Sequence, residues 1–126
     1  MITEIGKYLR HLRVDHDETL KDMAAKLNVS SAYVSSVECG KRVFPDKWIK
    51  ILSKQYNLTK NEISELDRIV SLAKNEVNIE IGNFSNEQQD VSIKFARNIK
   101  NADPDLLAKL QKLLDAEEKK NKNTGD

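Results

Sequence analysis

The chain has 126 residues, of which 21 are Lys or Arg and 20 are Asp or Glu, so its formal net charge is +1. This length suffices for one or two small domains with a hydrophobic core, and the charge excludes a strongly basic nucleic-acid coat. Cys39 is the only cysteine, which excludes a disulfide framework within the chain. The short apolar runs and the first residues indicate neither a membrane span nor a signal peptide, so we expect a cytoplasmic protein.

The charge is distributed unevenly. Residues 1–75 contain 13 basic and 10 acidic residues, a net charge of +3, whereas residues 76–126 contain 8 and 10, a net charge of −2. A small basic excess in the first part is compatible with binding to phosphates there, although it decides nothing alone.

Residues 2–14 are predicted to form the first helix, with Ile5, Leu9 and Leu12 on one face. Arg13 lies near that face, and a buried guanidinium requires a partner. The alternative is an exposed Arg on a surface helix.

Residues 19–42 predict two short helices joined by a tight turn. Thr19 can cap the first helix, since its hydroxyl can accept from backbone N–H groups two or three residues later. Apolar residues then recur at i, i+3, i+4 and i+7, namely Leu20, Met23, Ala24 and Leu27. Asn28 tolerates the left-handed backbone of a chain reversal. Ser30 is a second N-cap.

The second of these helices has Val34 and Val37 on its inward face and is predicted to end at Gly40. Its outward positions are small and polar. A pair of helices whose second member has a thin polar face is typical of a helix–turn–helix that lies in the DNA major groove.

The motif resembles the Cro/repressor-type (xenobiotic-response-element-type) family of helix–turn–helix regulators over roughly the first half of the chain. The matching residues, in order, are Arg10, Arg13, Thr19, Ala24, Leu27, Ser30, Val34, Ser35, Glu38, Gly40, Lys41 and Arg42. Two positions depart from the family pattern: Asn28 replaces the usual Gly of the turn, and Leu20 replaces a Gln that contacts DNA in relatives.

The resemblance implies a set of DNA-binding residues. In relatives, one set of positions touches bases or nearby backbone, and here these are Ser31, Ala32, Tyr33, Ser35 and Ser36. The positions that contact phosphates in relatives are Lys41 and Arg42 here. Lys21 and the backbone at the Thr19 and Ser30 helix ends are further phosphate candidates. None of the five helix residues makes bidentate base contacts, so readout is expected to be modest and aided by DNA shape or water. The alternatives are a solvated helix face and plain surface charge.

The resemblance also implies that Arg13 pairs with Glu38, because relatives pair the residues at these two positions. Two further helices complete the expected five-helix domain of residues 1–75. One begins at Pro45 or Asp46 and ends near Tyr56, and the other begins after a capping box formed by Thr59 and Glu62.

Residues 76–116 are predicted to contain one strand and two helices. Apolar residues alternate over residues 77–81, which favours a strand that must find a partner outside its own chain or lie against a helix. A capping box at Ser85 and Gln88 begins one helix, and Asp103 with Pro104 begins the last. Residues 117–126 lack apolar anchors and are expected to be disordered. The fold class is therefore all-α with one short strand.

This second segment carries an apolar set that must pack against something: Val77, Ile79, Ile81, Phe95, Ile99, Leu106, Leu110 and Leu113. We favour a second copy of the chain, because the sites of related regulators are two-fold symmetric. The alternative is a partner protein, as in antitoxins that block a toxin or in mobile-element repressors that bind a protease.

Catalytic interpretations have little support. His11 and His16 lack further metal ligands at suitable spacing, Cys39 lacks a visible base, and no glycine-rich phosphate loop occurs. We therefore expect no enzyme activity, no metal and no cofactor. The sequence predicts a homodimeric, sequence-specific transcriptional regulator of double-stranded DNA that acts as a repressor, with autoregulation as one mode of action.

Overall fold

The computed structural model describes residues 2–124, which divide into two compact units, one ending at Val77 and the other beginning at Asn78. All regular secondary structure in this range is helical, so the all-α fold class is confirmed. The first unit contains α1 (Glu4–Asp15), α2 (Leu20–Leu27), α3 (Ser31–Glu38), α4 (Lys47–Gln55) and α5 (Lys60–Lys74). The second contains α6 (Asn86–Asn98), a 3-10 turn (Ile99–Asn101) and α7 (Pro104–Thr124).

Side-chain caps explain where the helices begin. The Thr19, Thr59 and Ser85 hydroxyls each accept a hydrogen bond from the backbone N–H three residues later, and the side-chain oxygen of that later residue accepts one from the backbone N–H of the cap residue. Ser30 caps α3 by accepting from the Tyr33 N–H. These predicted caps are confirmed. Thr3 also caps α1, which begins two residues later than predicted.

The hydrophobic core lies entirely in the first unit. Fourteen buried side chains form one cluster: Ile5, Leu9, Leu12, Met23, Ala24, Leu27, Val34, Val37, Phe44, Trp48, Leu52, Tyr56, Leu66 and Val70. Trp48 of α4 is fully buried and lies against Tyr33 of α3 and Phe44 of the following loop. Because each large apolar side chain stabilises the fold by about 1.5–3 kcal/mol when buried, this cluster sets the arrangement of the five helices.

The predicted strand over residues 77–81 does not form. Residues 76–81 have no regular secondary structure, and Val77 and Ile79 remain exposed. Alternating apolar residues are a local signal, whereas a strand requires a neighbouring backbone to satisfy its N–H and C=O groups. No such neighbour occurs among residues 2–124.

The second unit differs from the first in having no buried side chain between Asn78 and Asn121. Its last helix begins as predicted, with the Asp103 carboxylate accepting from the Leu106 N–H at 2.8 Å. The prediction of disorder from Glu117 is wrong as far as Thr124, because α7 continues to that residue. Ala, Glu and Lys favour helix intrinsically, so charge alone does not end it. Residues 125 and 126 lie outside the described residues.

No helix in the described part of the chain combines the length and apolar character needed to cross a membrane.

Glu18 in the loop between α1 and α2 joins that loop to α4. The Tyr56 hydroxyl donates to the Glu18 carboxylate at 2.5 Å, and Lys26 both pairs with Glu18 and lies 4.4 Å from the centre of the Tyr56 ring. Burial opposes ionisation of Glu18, but the hydrogen bonds from Lys26 and Tyr56 prevail and lower its pKa below the ordinary 4.5.

Because the pKa of Glu18 is lower in the folded state, its ionised form stabilises the fold above about pH 4.5, and this contribution disappears as the pH falls through the lowered pKa. Glu18→Gln should therefore be less stable than wild type near neutrality, with the difference shrinking below that pH. Urea unfolding followed by fluorescence of the single, buried Trp48 measures it. Glu80→Gln, in the exposed segment, is the control. A difference that stays constant down to about pH 3 would contradict this prediction.

Candidate nucleic-acid interface

The helices α2 and α3 are joined by a turn of three residues. Asn28 adopts the left-handed conformation, with φ 59° and ψ 43°, and the Val29 N–H donates back to the Ala24 carbonyl. Met23 and Val34 are completely buried on the inward faces of the two helices. The mutual angle of α2 and α3 is therefore set by a fixed turn and by a shared part of the core.

The residues of α3 predicted to contact DNA all reach the surface at least in part, although Tyr33 also packs against the core. Ala32 is exposed, and the remaining four are half-buried: Ser31, Tyr33, Ser35 and Ser36. This surface offers hydroxyl groups, one exposed methyl group and an aromatic ring. Hydroxyl groups can form hydrogen bonds, and the methyl group and the ring can pack against an apolar surface.

An ion pair holds the carboxyl-terminal end of α3. Arg13 of α1 donates from Nη1 to Glu38 Oε2 at 2.5 Å and from Nη2 to Oε1 at 3.4 Å. Arg13 is 8 % exposed and Glu38 is 3 % exposed, so this is the buried pair that the sequence analysis predicts. The Nε of Arg10 lies 3.8 Å from the same carboxylate, although most of the Arg10 side chain is exposed to solvent. The sequence does not predict Arg10 as a partner of Glu38, although its position one turn before Arg13 places the two side chains on the same face of α1.

A second link to the same residue uses the backbone. The Thr3 N–H and the Thr3 hydroxyl both donate to the Glu38 carbonyl oxygen, at 3.0 and 2.8 Å. Gly6 permits this approach, since a Cβ added there would lie 2.5 Å from that oxygen. Sequence reasoning missed both residues, and the one hint was a glycine inside a helical pattern.

The loop after α3 returns along the helix. Gly40 has φ 78°, a left-handed conformation that side chains disfavour, and it lets the Lys41 and Arg42 N–H groups both donate to the Ser36 carbonyl, at 2.8 and 3.2 Å. Both basic side chains are exposed, and among residues 2–124 neither forms an ion pair. The Arg42 guanidinium lies 5.0 Å from the centre of the Tyr33 ring. Two uncompensated cations therefore flank the end of α3.

The other predicted phosphate contacts lie at helix starts. Thr19 and Ser30 are exposed N-caps of α2 and α3, and Lys21 is exposed in the first turn of α2. The positive ends of helix dipoles and free N–H groups at such positions suit anionic oxygens.

The predicted interface residues remain uncovered to different degrees. Val77, Ile79, Phe95, Leu106 and Leu113 are exposed. The other three are half-buried: Ile81, Ile99 and Leu110.

No protein-family model, curated protein or solved structure matches this chain significantly. Within residues 2–124, no group of three or more His, Cys, Asp or Glu side chains is arranged to hold a metal ion.

Removing Arg13 should leave the Glu38 carboxylate buried without its main partner. We expect Arg13→Ala to lower the free energy of unfolding by on the order of 3 kcal/mol in urea titrations. The control is Arg68→Ala, whose exposed pairing with Glu65 should contribute less than about 1 kcal/mol. Equal losses in the two variants would contradict a buried pair.

Gly6→Ala tests the backbone link between α1 and α3. The added Cβ would collide with the Glu38 carbonyl oxygen, so we expect a loss of stability of roughly 1–3 kcal/mol despite the higher helix propensity of Ala. Gly82→Ala is a matched control, because a Cβ there meets no atom within 4 Å. Calorimetric melting of both variants measures the difference, and an unchanged or raised Tm for Gly6→Ala would show that Thr3 and Glu38 are not held this closely.

Proposed function

We propose that this protein is a sequence-specific DNA-binding transcriptional regulator that inserts α3 into the major groove. The observation that carries the proposal is the surface of α3: a small polar face, ended by the unpaired cations of Lys41 and Arg42, on a helix clamped at Glu38. The resemblance of α2 and α3 to the helix–turn–helix of Cro/repressor-type regulators supports it, with α1–α5 as the corresponding five-helix domain.

In this function the contacts divide into two kinds. Ser31, Ser35 and Ser36 would hydrogen-bond to base edges or phosphates, and the exposed methyl group of Ala32 would pack on a thymine methyl. Lys41, Arg42 and the capped starts of α2 and α3 would fix the register on the phosphates. Because no side chain on this face makes a bidentate base contact, each half-site would discriminate modestly.

A homodimer would compensate for this modest discrimination, since two linked half-sites combine their binding free energies. The second unit supports such an assembly. At 100° per residue, five leucines of α7 fall within an arc of about 120°: Leu106, Leu107, Leu110, Leu113 and Leu114. None of them is buried. A continuous uncovered apolar face is typical of an interface, and we assign it to a second copy of the chain. A repressor acting on its own operator would work in the cytoplasm.

A second candidate is an antitoxin-like or mobile-element regulator whose second unit binds a different protein. The segment of residues 76–81 favours it, because it lies without hydrogen-bonded secondary structure and exposes Val77 and Ile79. A segment free of regular secondary structure can add as a strand to the sheet edge of a partner such as a toxin or a protease.

Binding to DNA from upstream of the protein's own reading frame tests the main proposal, by footprinting and mobility shift. Ser35→Glu should abolish binding, because it would place a carboxylate against phosphates and base edges. Ser64→Glu is the matched control on the exposed side of α5 and should bind like wild type. Thermal melting of both variants verifies that they are folded. A folded Ser35→Glu protein with normal affinity would exclude α3 as the recognition helix.

Leu113→Glu tests the dimer. This side chain is 69 % exposed in the single chain, so the change should leave the fold intact and place a charge in the interface. Sedimentation of the full chain at tens of micromolar should give a dimer for wild type and a monomer for this variant. Ala108→Glu, on the opposite side of α7, should remain dimeric. A wild-type protein that sediments as a monomer would favour the partner-protein alternative.

A further inference from the structure

Tyr33 of α3 contacts a buried aromatic side chain and an exposed basic one. Trp48 is completely buried, and the centre of its ring lies 5.7 Å from that of Tyr33. The guanidinium of Arg42 lies over the Tyr33 ring, 5.0 Å from its centre. A cation at this distance from an aromatic face is attracted by the ring's quadrupole.

The backbone around Arg42 is anchored as well. Its N–H donates to the Ser36 carbonyl at 3.2 Å. Two residues later, Phe44 is buried and its ring meets that of Trp48 edge-on at 5.4 Å between centres. Val43 between them is 73 % exposed. Arg42 is therefore restrained at its backbone by the Ser36 carbonyl, at its guanidinium by the Tyr33 ring, and two residues later by the buried Phe44.

Lys41 provides a contrast within the same loop. It is exposed, its ammonium group lies over no ring within the described chain, and it forms no ion pair there. Of the two cations that flank α3, only Arg42 is held in place before any ligand arrives.

We propose that Tyr33 is a positioning residue that acts on DNA binding through Arg42. By holding the guanidinium alongside α3, it reduces the side-chain entropy that Arg42 loses when it contacts a phosphate. An oriented guanidinium can present its planar set of N–H donors to the oxygens of a phosphate. This inference rests on the proposed function, and it gives Tyr33 a role other than the direct DNA contact that the family resemblance implies.

The first test uses the free protein. Protons on the Arg42 side chain should show upfield ring-current shifts by NMR in wild type and in Tyr33→Phe, which keeps the ring. The shifts should disappear in Tyr33→Leu and in Tyr33→Met, while the Lys41 side chain stays unchanged in all four proteins. Unshifted Arg42 protons in wild type would overturn the proposal.

The second test is a double-mutant cycle on DNA affinity, using Tyr33→Leu and Arg42→Ala with the upstream DNA as probe. Tyr33→Phe should bind within about twofold of wild type. Tyr33→Leu should bind roughly threefold to fivefold more weakly, which lies in the upper part of the range of an exposed cation–π pair. In the Arg42→Ala background, Tyr33→Leu should add nothing. Arg42→Ala alone should also reduce the salt slope by about 0.9, whereas Tyr33→Leu should leave that slope unchanged.

The cycle distinguishes positioning of Arg42 from simple packing of Tyr33. If Tyr33 only stabilised the fold, Tyr33→Leu would weaken DNA binding equally in wild type and in Arg42→Ala. If Tyr33→Leu does not fold, Tyr33→Met replaces it, since its flexible thioether can still pack on Trp48. Equal losses with and without Arg42, or a Tyr33→Phe variant as weak as Tyr33→Leu, would overturn the positioning role and leave the proposed function standing. A wild-type protein that binds no DNA would overturn both.

Discussion

Glu38 is the residue that ties α3 to α1, because its carboxylate is bound by Arg13 of α1 and its carbonyl by Thr3, the N-cap of α1. Its carboxylate takes two hydrogen bonds from Arg13, and its carbonyl takes two from Thr3. A carboxylate this deeply buried is tolerated only when a cation and hydrogen bonds compensate it. Thr3 caps the start of α1 and Arg13 lies near its end. The last turn of α3 is therefore held by contacts at both ends of α1.

This clamp leaves one side of α3 free for other contacts. The inward side packs into the core through Val34 and Val37, the last residue is held by α1, and the following loop returns through Gly40 to the Ser36 carbonyl. Side chains on the outward side are therefore supported from behind while they face solvent. A binding surface placed on a rigid helix keeps its geometry better than one on a mobile loop.

The helices of the second unit form without a hydrophobic core. Its helices are well capped, at Ser85 and Asp103, yet no side chain between Asn78 and Asn121 is buried. Local capping and helix propensity account for the helices, and they leave the leucines of α7 uncovered. If this segment assembles as proposed, its hydrophobic stabilisation would come from the partner surface and would depend by mass action on the concentration of that partner.

Local signals in the sequence were enough to determine most helix boundaries, the reversal at Asn28 and the residues that form the outer face of α3. These features depend on contacts three or four residues apart, which a single sequence displays. Tertiary structure decided the rest. Thr3 and Glu38 are separated by 35 positions, and the stack of Arg42 on Tyr33 depends on a loop that returns along its own helix. The expected strand failed for the same reason, because alternation of apolar residues cannot supply the neighbouring backbone that a strand must bond.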